Sequence, residues 1–397
     1  MVYMRPTSIH TKNDYMYRSF LFSNKSLLTT AVVLSTMFIE NDIHAQTVNF
    51  YVAETASSGG AASLVDYNFS TLTNSATQVG SPIALTGVFG GATDTESSLE
   101  LSEDGTSLSY AGFTTATNGT SDEVLYNIAG GTTTTAKFAG TARSNYYGTS
   151  TDGTAGFYMG SGADGVSFVA PAGASQTKIE NTSGFTSGNT IAYNPASSNL
   201  YVTRNSSSNG NGVYTPSANG VGLIPTTTQT TFIALSGGTN SGWNVNDVYN
   251  GLGFLGANNL FVVDTTVNTI DVFNAADATK TNDWNMTFSL ANSDPSFTTT
   301  EPIEQLSVDQ VDANDALIFF TTNGLAGTST LDEVSFNTTT GFGSVNNLVS
   351  GTSEFFTGVA VIQAAPEPST YALMGLGLGL MCLILNRRKV GRDSCLG

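Results

Sequence analysis

Three carboxylates within seven residues are the candidate for metal chemistry in this sequence. Asp309, Asp312 and Asp315 fall where a turn is predicted between two apolar runs. Carboxylates and backbone carbonyls supply the oxygen ligands that calcium prefers, so this segment could take calcium. The spacing lacks the glycine and the distal glutamate of an EF-hand loop. Aspartate is also a common turn residue, and a solvated turn without metal is the alternative.

The positions of histidine and cysteine restrict the remaining chemistry. His10 and His44 lie near the start of the chain, and Cys382 and Cys395 lie near its end. Residues 46–363 contain neither type. This excludes a disulfide framework, a zinc site built on His or Cys, a cysteine nucleophile and a Ser-His-Asp triad. Paired carboxylates for glycoside hydrolysis remain open, although no pair stands out.

The charge of the chain restricts its partners. Residues 46–365 hold five basic and 26 acidic side chains, a formal charge of −21. Nucleic acid is excluded as a partner, because binding to phosphates needs clustered lysine and arginine. An anionic polysaccharide would be repelled unless cations bridged the two.

Short runs of aromatic and β-branched residues separated by turn residues predict an all-β domain. Five such runs begin at intervals of 43 to 60 residues: 108–113, 157–160, 200–203, 260–264 and 317–321. A Val- or Ile-containing strand follows each run, and a strand and turn precede four of them. A repeat of this length is typical of a β-propeller, with one blade in each repeat.

The two ends of this domain complement each other. Residues 357–362 look like a first strand with no second strand after it, and residues 48–52 look like a second strand with none before it. Joined, they predict a shared blade and a six-bladed propeller over residues 46–363. Seven blades, a β-sandwich and a β-helix are the alternatives. The repeats weakly resemble bacterial extracellular propellers of the lactonase-like and YVTN type.

The end of the chain combines three features in order. A proline motif comes first, an uncharged apolar segment follows and a basic cluster ends it. The motif and the cluster are Pro366, Glu367, Pro368, Arg387, Arg388 and Lys389. Residues 364–397 thereby resemble the PEP-CTERM sorting tail of Gram-negative bacteria. The resemblance implies processing by an exosortase, a membrane-embedded protease. The apolar segment predicts a transmembrane helix over 369–386. The alternative to a sorting signal is a plain tail anchor that is never processed.

The start of the chain predicts export. Lys25 precedes a short apolar core at residues 27–38, and Ala45 then offers a small residue for cleavage before Gln46. This order is that of a secretory signal peptide, which would cover residues 1–45.

These features together predict a secreted, cell-surface or matrix-associated protein. Its expected role is non-enzymatic, in binding or in structure, with exosortase, the membrane and exopolysaccharide as partners. No cofactor is expected other than calcium. The alternative is a calcium-assisted hydrolase of lactonase or glycosidase type with its site in the propeller channel. Converging carboxylates and asparagines in the channel would favour the hydrolase, and Ser, Thr and apolar walls would favour the non-enzymatic role.

Overall fold

The described part of the chain consists almost entirely of β-strands. A computed structural model describes residues 47–55, 61–89, 99–102, 105–113, 121–128, 130–138, 142–149, 155–161, 165–169, 176–178, 190–194, 196–197, 199–204, 212–216, 229–236, 249–264, 267–276, 283–294, 297, 302–322, 329–350 and 355–362. The predicted signal peptide with its cleavage residues Ala45 and Gln46 lies outside these residues. So does the predicted sorting tail, 364–397, including Pro366, Glu367, Pro368, Arg387, Arg388 and Lys389.

The chain divides into two units. One comprises Val48–Phe69 and Ser75–Gly397 and carries the sheets. The other comprises Met1–Thr47 and Ser70–Asn74, of which the structure describes Thr47, Ser70 at the end of a strand and the turn at 71–74.

Twenty-four strands and one short helix make up the described elements. The strands are β1 Thr47–Thr55, β2 Ala61–Ser70, β3 Ser75–Phe89, β4 Leu99–Leu101, β5 Ser107–Phe113, β6 Ser121–Asn127, β7 Thr132–Phe138, β8 Ala142–Thr149, β9 Ala155–Ser161, β10 Gly165–Val169, β11 Gln176–Lys178, β12 Ile191–Asn194, β13 Asn199–Arg204, β14 Gly212–Pro216, β15 Gln229–Ser236, β16 Tyr249–Leu255, β17 Asn259–Asp264, β18 Thr269–Asn274, β19 Asp283–Ser289, β20 Ile303–Gln310, β21 Asp315–Thr322, β22 Thr330–Asn337, β23 Gly341–Ser350 and β24 Phe355–Ile362. The helix is α1, Leu290–Ser293.

These strands form four hydrogen-bonded sheets. Two sheets have four strands each, β8 to β11 and β20 to β23, and in each the neighbours in sequence are neighbours in space. The other two have eight strands each. One contains β24 with β1 to β3 and β4 to β7, and the other contains β12 to β15 and β16 to β19.

Each eight-stranded sheet consists of two sets of four strands that meet through a short pairing. In the first sheet the contact is one residue pair between β3 and β5, Phe89 with Phe113. In the second sheet, β15 and β19 pair in parallel over Ala234–Ser236 and Asp283–Asn285. Four separate sheets, and not six, are therefore hydrogen-bonded in the described residues.

The two ends of the domain pair as the sequence predicts. β1 and β24 run antiparallel, from Asn49 opposite Ile362 to Thr55 opposite Phe355. A register shift occurs between Ala53 and Glu54. The pairing joins residues about 300 positions apart, so the sheet contains both the first and the last described strands.

The strands fall into six sets of four: β4 to β7, β8 to β11, β12 to β15, β16 to β19, β20 to β23, and β24 with β1 to β3. The first strand named in each set contacts the first strand of the next set. β4 contacts β8, β8 contacts β12, β12 contacts β16, β16 contacts β20, β20 contacts β24, and β24 contacts β4. The contacts thus form a closed circuit around a common centre. The protein is all-β with a propeller-like arrangement of its sheets.

Continuous apolar runs occur in strands that have a core on both faces. In β17, Phe261 and Val263 face one cluster and Leu260 and Val262 face another. In β21, Ile318 and Phe320 likewise lie in a different cluster from Phe319. Side chains alternate between the two faces of a strand, so a strand covered on both sides has no polar face.

Aromatic rings pack between neighbouring sheets. The ring of Phe319 lies 4.9 Å from that of Phe50 and meets that of Phe69 edge-on at 5.4 Å. Phe261 of the β12 to β19 sheet meets Phe336 of the β20 to β23 sheet edge-on at 5.0 Å. Such pairs add about 0.5–1.5 kcal/mol each to the free energy gained by burial.

The predicted transmembrane helix has no counterpart among the described residues. Within them, no helix is long and apolar enough to cross a membrane. Residues 369–386 lie outside this part of the chain, and that helix stays a prediction.

Candidate binding site in the channel

A cavity of about 200 Å³ lies among the first strands of the sets. Its wall comes from β4, β12, β16, β20 and β24 and from residues directly after them. Apolar side chains such as Leu252, Phe254 and Val308 form much of it. The polar groups include Glu100, Asn194 and Gln310.

Gln305 on β20 joins three first strands beside this cavity. Its Nε2 donates to the backbone oxygen of Leu99 at 2.9 Å and to Oε1 of Glu100 at 3.0 Å. Its Oε1 accepts from the backbone nitrogens of Leu99 at 3.0 Å and Val359 at 3.3 Å. A first strand has a free edge toward the centre, so its backbone groups need partners from another element. One buried amide supplies partners to both β4 and β24.

Gly358 on β24 allows this close approach. A Cβ atom at this position would lie 2.5 Å from Oε1 of Gln305 and 2.8 Å from the backbone nitrogen of Leu99. Both distances are shorter than real Cβ contacts. The absence of a side chain is therefore a packing requirement at the junction of β20, β24 and β4.

Similar polar contacts connect β20 with β24 a second time, and join β12, β16 and β20 near their carboxyl ends. Oγ of Ser307 accepts from the backbone nitrogen of Val361 at 3.0 Å. Nδ2 of Asn194 donates to the oxygen of Gly256 at 3.0 Å, and the nitrogen of Gly256 donates to Oε1 of Gln310 at 3.3 Å. Side chains thus satisfy free backbone edges around much of the cavity.

Glu100 is the carboxyl group of the described cavity wall. It is half-buried, and burial raises its pKa well above the usual range, while the hydrogen bond from Gln305 opposes that shift. A carboxyl group whose neutral form is favoured can donate a hydrogen bond as well as accept one. Glu100 therefore offers a ligand in the cavity one carboxyl group for hydrogen bonding.

The dimensions of the cavity limit what it can hold. Pockets for drug-sized ligands measure roughly 300–1,000 Å³. At about 200 Å³, this cavity fits one ring-sized group. The amide and carboxyl groups of the wall would contact the polar edge of such a group, and the side chains of Tyr193 and Phe254 would contact its apolar face.

The three aspartates of the predicted turn have three different environments. Only Asp312 lies in the turn, because β20 extends through Asp309 and β21 begins at Asp315. Asp309 is 3% exposed. Oδ1 of Asp312 accepts from the backbone nitrogens of Asn314 at 2.6 Å and Asp315 at 2.9 Å, and Oδ1 of Asp315 accepts from Nδ2 of Asn337 at 2.7 Å.

The three aspartates therefore do not share one turn, because β20 pairs through Gln310 and β21 begins at Asp315. Among the described residues, no group of three or more His, Cys, Asp or Glu side chains is placed to hold a metal ion. Calcium binding by Asp309, Asp312 and Asp315 stays a prediction.

Asp309 is expected to make the protein less stable as the pH rises. Burial raises its pKa from 3.8 to about 6. The folded state then binds the proton more tightly than the unfolded state, so stability is lost between about pH 4 and pH 6. The shift corresponds to roughly 3 kcal/mol in full, and about 2 kcal/mol between pH 4.5 and 7.5. Asp309→Asn should reduce the difference in the free energy of unfolding between pH 4.5 and 7.5 by about 2 kcal/mol, as measured by urea unfolding.

Asp312→Asn is the matched control, since it removes the same charge from an exposed position nearby. Hydrogen bonds from the backbone of Asn314 and Asp315 lower the pKa of Asp312. Its titration therefore affects stability only below about pH 4, with the opposite sign. Identical effects of the two substitutions between pH 4.5 and 7.5 would show that general charge repulsion, and not burial of Asp309, sets the dependence.

The sequence predicts these first strands but gives no role to the polar residues in them. Glu100, Asn194 and Ser307 lie in three of the predicted strand-and-turn segments that precede the apolar runs, at residues 99–105, 191–195 and 306–309. The available signal was a polar residue inside an otherwise apolar first strand. Gln305 lay just outside the predicted strand and gave no signal of its own.

The tail of the chain matches a known family model. Residues 364–389 match the PEP-CTERM protein-sorting motif. The resemblance seen in the sequence is confirmed. The motif implies sorting by an exosortase and export to the surface of a Gram-negative bacterium. No curated protein matches the chain.

Several solved structures are similar to this chain at low identity. A luciferin-regenerating enzyme has 10% identity and a TM-score of 0.41 over 63% of this chain and 75% of that one. A protein of unknown function from Bacteroides caccae has 10% identity and a TM-score of 0.46 over 80% and 100%. A chain of a mitotic checkpoint complex has 12% identity and a TM-score of 0.37 over 79% and 81%. Identities this low transfer no activity.

Proposed function

We propose that this protein is a cell-surface or matrix-associated binding protein that exosortase sorts, and that its channel cavity binds a neutral saccharide group. The composition of the cavity wall carries the proposal. In the described wall, amides, hydroxyls and one carboxyl group surround an apolar pocket. A glycosidase of the usual kind needs two carboxylates flanking the bond that it cleaves. Glu100 supplies only one in that part of the wall.

The domain that carries this cavity is a six-bladed propeller over residues 46–363, in which β24 and β1 to β3 form one blade. Six sets of four strands and a circuit of six first strands support this count. The two short pairings between sets are then contacts between neighbouring blades. The shared blade holds the first and last strands together without a free sheet edge at the seam.

The charge of the domain supports a neutral ligand. At −21, residues 46–365 repel polyanions at low ionic strength, and hydrogen bonding to a neutral group carries no such penalty. An exopolysaccharide with neutral residues therefore fits better than an anionic one.

Export and sorting predict two cuts in the chain. Signal peptidase cuts between Ala45 and Gln46, and exosortase cuts near the Pro366-Glu367-Pro368 motif. Mass spectrometry of the surface protein should find no peptides before Gln46 and none beyond about residue 370. An intact tail in the surface fraction would instead identify a plain membrane anchor.

Blocking the cavity should weaken ligand binding without unfolding the protein. Ala196 is exposed, lines the cavity and follows a turn in which Oδ1 of Asn194 accepts from its backbone nitrogen at 2.9 Å. A tryptophan at this position would fill the mouth and leave that backbone hydrogen bond in place. Ala196→Trp should lower affinity at least tenfold in calorimetric titrations with oligosaccharides from the exopolysaccharide of the producing bacterium.

Ala276→Trp provides a matched control. Ala276 is exposed, and its backbone nitrogen donates to Oδ1 of Asn274 at 2.7 Å in the same kind of turn, away from the described cavity wall. It should bind like the wild-type protein. Equal binding by the two variants would place the ligand elsewhere, and no binding by the wild-type protein would contradict the saccharide ligand itself.

A further inference from the structure

We propose that the mouth of the channel cavity faces the membrane while the sorting tail is in place, so that removal of the tail opens the cavity to large ligands. The inference rests on the proposed function, because it takes the tail to be membrane-anchored before processing.

The cavity lies at one end of the first strands. Hydrogen bonds connect Gln305 with Val359 and Ser307 with Val361, so β20 and β24 run in the same direction. β16 and β20 also run in the same direction. The Cα of Gln305 lies 3.5 Å from where a Cβ of Gly251 would be, and Gly256 bonds Gln310 further along. The cavity is lined from Leu306 to Gln310 and by Ala360 and Val361, toward the carboxyl ends of these strands.

The chain leaves the domain at that same end. Ile362 is the last residue of β24 and directly follows Val361 of the cavity wall. Asn49 pairs with Ile362, so the amino-terminal part of β1 lies there too. The segment leading to the sorting tail therefore begins beside the cavity.

The tether between the cavity wall and the apolar segment is short. Six residues separate Ile362 from Ser369, where the apolar segment begins, and the seven Cα–Cα steps between these two residues span at most about 25 Å when fully extended. A domain of this size has a radius of gyration of about 20 Å. The tether is therefore shorter than the domain is wide, and the end that carries Ile362 must stay next to the bilayer.

The opposite end of the strands provides an internal reference. β16 and β17 connect through Gly256 on the cavity side, whereas β17 and β18 connect beyond the pair Asp264 and Thr269. Val267 lies in this second turn and is 40% exposed. It should therefore point away from the membrane in the anchored protein.

Labelling of introduced cysteines tests the orientation. The protein used is the chain from Gln46 to Gly397, in which serine replaces Cys382 and Cys395. It carries either Gln310→Cys or Val267→Cys and is inserted in lipid nanodiscs. A maleimide carrying polyethylene glycol of about 5 kDa should label Gln310→Cys in the anchored chain at least tenfold more slowly than the same cysteine in a chain ending at Gln363. Val267→Cys should react equally in both chains, and N-ethylmaleimide should label Gln310→Cys equally in both.

A longer tether supplies the second test. A flexible insert of 30 Gly and Ser residues after Gln363 should restore fast labelling of Gln310→Cys with the tail still present. Equal rates for Gln310→Cys with the large reagent in anchored and truncated chains would overturn the proposal. Slow labelling in the truncated chain would also overturn it, because the domain itself would then cover the mouth. Neither outcome bears on the two cuts or on saccharide binding, which are measured separately.

Discussion

A protein truncated after Ser350 will lose its cooperative unfolding transition. The truncation removes β24, which pairs with β1 over seven residue pairs. It also takes Phe356, Val359 and Val361 out of the core between neighbouring sheets. Burying such side chains contributes about 1.5–3 kcal/mol each, and the total stability of a domain is about 5–15 kcal/mol. The loss of three of them, with an exposed edge on β1, is therefore comparable to the whole stability.

The control for this truncation is a protein that ends at Gln363. It lacks the sorting tail but keeps β24. Its thermal transition should therefore match that of a protein of residues 46–397 that is measured in the absence of membrane. Calorimetry and circular dichroism measure both proteins. A chain ending at Ser350 that melted as cooperatively and at the same temperature would show that pairing of the termini is not needed for the fold.

Gln305→Leu will give the largest loss of stability among single substitutions in the channel. It deletes four hydrogen bonds and leaves the backbone nitrogen and oxygen of Leu99 and the nitrogen of Val359 without that partner. An unsatisfied buried polar group costs about 1–3 kcal/mol. We expect a loss of about 4 kcal/mol in urea unfolding, and a melting temperature lower by about 10 °C.

Gln310→Leu is the matched control on the same strand. Gln310 is exposed and makes one hydrogen bond with the nitrogen of Gly256, at 3.3 Å. Water can replace that bond, so the loss should stay below about 1 kcal/mol. Equal losses from the two substitutions would mean that the amide of Gln305 is not what joins β4, β20 and β24.

Much of the fold is predictable because buried strands have a distinctive composition. Apolar runs such as Leu260–Asp264 and Leu317–Thr321 lie in strands with a core on both faces, and both were recognised. The last strands of the sets, such as β7 with its sequence Thr-Thr-Thr-Thr-Ala-Lys-Phe, were not located. Strands with few large apolar residues show no strong periodic signal, and only their pairing partners define them.

The sorting signal of the protein and the strand-forming composition of its domain are both local properties of the sequence. The sorting tail is read from a motif, an apolar segment and a basic cluster that are contiguous in the chain, and strand propensity is likewise a local property. The pairing of the two ends could be predicted because each end lacked a strand that the other supplies.

Only the tertiary structure decided which polar residues meet. Gln305 and Leu99 are 206 positions apart, and their contact depends on the circuit of first strands. The same holds for the separation of Asp309 from Asp312, because the length of a strand pairing decides which carboxylate is buried. Long-range contacts of this kind carry no local signal, since each residue type is common in strands and turns alike.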